Sequence, residues 1–143
     1  MKLALAALAA LLSTPTPTPV ADDIRIDVGT TNWSEFPQLT PEPRDLPIGE
    51  MLVRMERMLR DRECVMRGQS PRRFDITVPW LVQVEPDGRL SRLVIADTGC
   101  RALEVYVADL IINLAARGDI RPPAAPEQRI YASDFNFNLT TTR

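Results

Sequence analysis

The residues best able to do chemistry in this 143-residue chain are two cysteines, Cys64 and Cys100, and a scatter of carboxylates. The chain has no histidine. That excludes Ser-His-Asp and Cys-His catalysis and every metal site that needs an imidazole. Lys2 is the only lysine among 17 basic residues, the rest being arginine. A Ser-Lys dyad or a Schiff-base lysine would therefore be lost with the N-terminus. Asp22, Asp23 and Asp27 form a small acidic cluster, which reads as a solvated tail before it reads as a metal site. Asp134, Asn136 and Asn138 match the first three ligand positions of a calcium loop, but the sixth position is Leu139 where the loop needs glycine. The same residues fit an alternating strand, so no metal is expected. The six glycines form no phosphate-binding loop. A pair of carboxylates working as in a glycosidase is the one catalytic alternative left. No catalytic residue and no cofactor is assigned.

Export changes what the cysteines mean. Lys2 is followed by ten apolar residues, Leu3 to Leu12, and then by small residues, the pattern of a secretory signal peptide spanning 1–21. As a helix the run reaches about 15 Å, half of a ~30 Å hydrocarbon core, so no stable membrane anchor is expected. In an oxidising compartment Cys64 and Cys100 are expected to pair, with two separate buried thiols as the competing reading.

The remaining residues must build the frame. With 45% apolar and 25% charged residues the chain can fill a core, and its net charge of −2 gives no nucleic-acid footprint. Residues 22–46, bearing Pro37, Pro41 and Pro43, read as an extended arm with Trp33 and Phe36 as docking points. Residues 47–67 read as a helix. Its apolar positions are Ile48, Leu52, Met55 and Leu59, with Met51 and Met58 beside them, and four-apart ion pairs occupy the other faces. Residues 74–85 alternate as a half-buried strand in which Pro79 implies a bulge or an edge. Pro86-Asp87-Gly88 predicts a turn into a second strand, Leu90–Asp97. Asp97 or Thr98 caps a helix over 100–117 that Gly118 ends. Strand 128–139 sets Tyr131, Phe135, Phe137 and Leu139 on one face. The economical solution is an α+β fold of order helix, strand, strand, helix, strand. It has a three-stranded antiparallel sheet, both helices on one face and the other face solvated.

Leu81-Val-Gln-Val-Glu-Pro-Asp-Gly-Arg-Leu90 followed by Thr98-Gly-Cys-Arg-Ala-Leu103 resembles the C-terminal domain shared by TonB and TolA. Ile120-Arg-Pro-Pro123 after the helix, and the apolar alternation of Phe135-Asn-Phe-Asn-Leu139, extend the likeness over 75–139. The tyrosine-proline pair usual before the first strand of TonB-type domains is missing, and helix 47–67 is closer to the TolA arrangement. The resemblance implies a domain over 47–141 that binds partners by adding a strand to an exposed sheet edge. It places the docking edge on the final strand: Ile130, Tyr131, Ala132, Ser133, Asp134, Phe135 and Asn136. The expected protein is therefore a stand-alone periplasmic interaction module. Its partner is an envelope protein or peptide segment, or a second copy joined through the same edge. A small periplasmic hydrolase and a structural envelope module without a peptide partner are the alternatives.

Overall fold

The computed structural model of the chain describes residues 24–39, 46–64, 73–120 and 129–140. The signal peptide and the proline loop 122–126 lie outside those residues.

The fold grows from one hairpin. Strands β2 (Arg73–Val84) and β3 (Leu90–Ala96) meet at Pro86-Asp87-Gly88. Gly88 takes φ +84°, a left-handed conformation that costs glycine little. The Asp87 carboxylate accepts from the Arg89 N–H at 3.0 Å and from Arg89 Nε at 2.7 Å. The register then slips: Val84 pairs with Leu90 and Gln83 with Arg92, leaving Ser91 as a bulge. Strand β4 (Ile130–Thr140) runs antiparallel to β2 along its whole length. In β2 the main-chain groups that face β3 belong to every second residue, and Pro79 is one of them. It sits just ahead of Trp80↔Ile95, the first pair of that ladder. A residue with no N–H thus marks where β3 pairing stops, and β2 continues toward Arg73 with only β4 beside it among the described residues.

Helix α1 (Ile48–Arg60) packs on β4, and helix α2 (Arg101–Ala116) packs on β3. Both bury their apolar faces in one core with Phe74, Val78, Trp80, Val82, Phe135 and Phe137. Trp80 is wholly buried and meets Phe135 at 5.4 Å between ring centroids. Its Nε1–H finds no acceptor among the described residues, a cost of about 1–3 kcal/mol that the burial of the large ring must exceed. The stripe that α1 buries is Met51, Met55 and Met58; Leu52, expected inside, is exposed.

The cysteines form a Cys64–Cys100 disulfide with Cα atoms 5.2 Å apart. It ties the chain just after α1 to the first residue before α2. The cap of α2 is Cys100, whose sulfur accepts from the Leu103 N–H, and not Asp97 or Thr98. Thr98 instead gives its N–H and hydroxyl to Glu104 Oε1, at 2.9 and 3.1 Å.

The α+β class holds, but the sheet has four strands and is mixed, in the order β1-β3-β2-β4. The extra strand, β1 (Arg25–Gly29), pairs parallel with β3 and comes from the segment read as an arm. A three-stranded antiparallel sheet is thereby corrected. Parallel pairing needs only main-chain groups from a partner 67 positions away, Arg25↔Arg92, and leaves no local signature.

Candidate functional site: the two edges and the strap between them

Side chains on the sheet face away from the helices come from alternate residues. Asp27, Val94, Leu81 and Ala132 form one row across β1, β3, β2 and β4. The row has a fifth member. After β1 the chain makes a short 3-10 turn, Trp33–Glu35, against β2, and Gln38 then forms a parallel bridge with Ala132. The Leu39 N–H donates to the Ala132 carbonyl at 2.7 Å, and the Ala132 N–H donates to the Pro37 carbonyl at 2.9 Å. Residues 30–38 are therefore a strap. It leaves one edge of the sheet, crosses the face opposite the helices and bonds to the other edge.

The strap explains two burials that the helices do not. Leu81 and Ala132 are buried, yet they lie on the face away from the core. The expected solvated face is thus partly covered, and Phe36 takes part as anticipated. A cavity of about 340 Å³ remains under the strap, walled by Phe36, Leu81, Val94, Ile130 and the Asp27–Arg92 pair.

Within the residues expected to form the docking edge, the structure separates three environments. Tyr131 and Phe135 are buried on the helix side. Ile130 lines the cavity, Ala132 is capped by the strap, and Ser133 is half-buried. Asp134 and Asn136 are exposed, as is Asn138 beyond them. Register settles the main chain. Ala132 directs its N–H and C=O away from β2, so Asp134, Asn136 and Asn138, two residues apart, direct theirs outward as well. The Asn136 side chain is held in place by Thr77, whose hydroxyl meets Oδ1 at 2.5 Å. Alternation in the sequence revealed which faces β4 has. The strap's claim on Ala132 had no signal, because it rests on main-chain bonds from a segment 94 residues away.

The carboxylates are engaged elsewhere. Glu104, the one buried acid among the described residues, is spent on Thr98. Asp27 accepts from Arg92 Nε at 2.8 Å and from Arg25 Nε at 3.1 Å. These bonds, that of Arg92 foremost, hold the Asp27 carboxyl below its ordinary 3.8. A lowered folded-state value means that ionised Asp27 favours the native state above about pH 3.8, and that this contribution is lost as pH falls through the folded value. Asp27→Asn is accordingly expected to melt earlier than the native protein at pH 7. The difference should narrow below pH 3.8 and close as pH falls through the folded value, where the carboxyl is neutral in the native state as well. A difference in melting temperature that does not diminish at all as pH falls below 3.8 would assign the effect to something other than this ion pair.

No group of metal-binding side chains occurs among the described residues, and no described helix is long and apolar enough to cross a membrane. Comparison with protein-family models, with curated proteins and with solved structures finds no match to this chain.

Proposed function

We propose that the protein is an exported interaction module of the TonB/TolA C-terminal type, which takes an extended segment of an envelope partner on the outer edge of β4. One observation carries the reading: this edge already accepts an extended segment through one parallel bridge. Pro37 and Leu39 bond to both outward groups of Ala132, so the geometry for addition is built and in use by the chain itself. Farther along, Asp134, Asn136 and Asn138 turn equivalent groups outward, and neither lysine nor proline interrupts β4. The proposed docking edge accordingly shifts from Ile130–Asn136 to Asp134–Asn138.

The test is Asn136→Pro. Proline there removes an outward N–H and leaves the β2 ladder intact, so the fold should survive. Binding to the partner captured from envelope extract should fall about a hundredfold or more, since a ladder bond is lost and the ring obstructs close approach. In the native protein, the amide hydrogens of Asp134, Asn136 and Asn138 should gain protection from exchange when the partner is bound. Unchanged capture by Asn136→Pro, with no protection at these amides, would defeat strand addition at this edge.

A further inference from the structure

Helix α1, which packs on β4, carries an apolar flank that the core does not use. At about 100° per residue, Met51, Met55 and Met58 form the buried stripe of α1, with Glu50 and Arg54 on one flank and Ile48, Leu52 and Leu59 on the other. The charged flank faces α2: Glu50 and Arg54 act electrostatically on Tyr106, and Arg54 pairs with Glu63 at 3.1 Å, next to the disulfide. The apolar flank therefore faces away from α2. Because α1 lies on β4 and α2 on β3, that direction is out past the edge of the sheet. Ile48 is 62% exposed and Leu52 43%, an unusual cost for an unpartnered helix face.

The strap shows how a strand in this row uses that side. Gln38 shares the face of Ala132 and is exposed, whereas Leu39 turns the other way and is buried in the core with the α1 methionines. Positions 41 and 43, which follow the strap in sequence, are proline and have no N–H to give to a ladder.

We propose that the strand docking on β4 is amphipathic, with its main chain bonded to Asp134, Asn136 and Asn138 and its apolar side chains, at alternate positions, buried against Ile48 and Leu52 of α1. The inference rests on the strand-addition reading and adds the chemistry of the partner. The intervening side chains meet Asp134 and two asparagines on a strand that carries no cation, so lysine or arginine suits those positions. The occupant is a segment of another protein, about seven residues long, alternating apolar with basic or polar.

Two synthetic peptides of about seven residues test this, one alternating valine with lysine and one alternating serine with lysine at equal charge. Fluorescence anisotropy at low salt should show the valine peptide binding the native protein about a hundredfold more tightly. In Ile48→Ser/Leu52→Ser, whose positions are exposed and which should remain folded at the assay temperature, that preference should fall below about tenfold. An unchanged preference in the double variant overturns the role of α1. So do equal affinities of the two peptides for the native protein, or no binding by either. Asn136→Pro keeps the two claims apart. If it abolishes binding of peptides that the native protein does not distinguish, the edge stands and the apolar flank falls. If it binds the valine peptide as the native protein does, strand addition fails together with this inference.

Discussion

Reduction of the Cys64–Cys100 bridge, or replacement of both cysteines by alanine, is expected to destabilise the protein by about 3–4 kcal/mol. The bond joins positions 36 apart and closes a loop holding β2, the hairpin turn and β3. Cutting it returns that loop's closure entropy to the unfolded chain. The bridge also works locally. The Cys100 sulfur caps α2 through the Leu103 N–H at 3.4 Å, so alanine there leaves a helix N–H without its partner, adding up to about 1 kcal/mol. Urea unfolding with and without reductant measures the sum. The midpoint should drop with the slope altered little, and an unchanged midpoint would mean that the bridge constrains nothing that the core does not already hold. With the whole protein only marginally stable, a loss of this size is a large share of the total. Function in a reducing compartment would thus be compromised, which accords with the proposal that the protein works outside the cytoplasm.

The parts legible in the sequence are those whose signals are local. Pro86-Asp87-Gly88 announced the hairpin, and the alternation of Tyr131, Phe135 and Phe137 announced both β4 and the face it buries. The even cysteine count, in a chain read as exported, announced the bridge. What escaped is non-local. Ile26 and Val28 alternate as a strand should, but five residues between acidic and proline-bearing neighbours carry no cue that β3 will pair with them in parallel. Leu39 falls within the segment read as an extended arm, yet it is buried because the strap brings it round the edge of β4. Glu104 lay in a helical stripe with no hint of burial, since its partner Thr98 is reached by folding back across the α2 cap. At the candidate site the consequence is specific. Sequence alone assigned the docking edge from Ile130 onward, and the strap, invisible to local pattern, moves the proposed edge to Asp134 and beyond.

The orientation of α1 is where sequence and structure part, over Leu52, which makes it the sharpest test of the fold. Leucine is the more reliable core residue, and a stripe through Leu52 and Leu59 satisfied helical spacing. A stripe through Met51, Met55 and Met58 satisfies it equally well, because the two are only a fraction of a turn apart. The structure buries the methionines, with Met55 at 2% exposure and Met58 at 0%. Methionine suits this position physically. The helix bridges a twisted sheet near its margin, and an unbranched, three-torsion side chain fills irregular gaps that leucine would leave or overfill. Met55→Ala or Met58→Ala should therefore cost about 2–5 kcal/mol through lost burial and the cavity left behind. Leu52→Ala should cost less, about 1 kcal/mol, since 43% of its surface stays exposed to water in the free protein. Urea unfolding of the single variants settles the order. The reverse order, with Leu52 costly and Met55 cheap, would mean that α1 is rotated about its axis. The apolar flank would then turn inward, and the surface proposed to receive the partner's side chains would no longer exist.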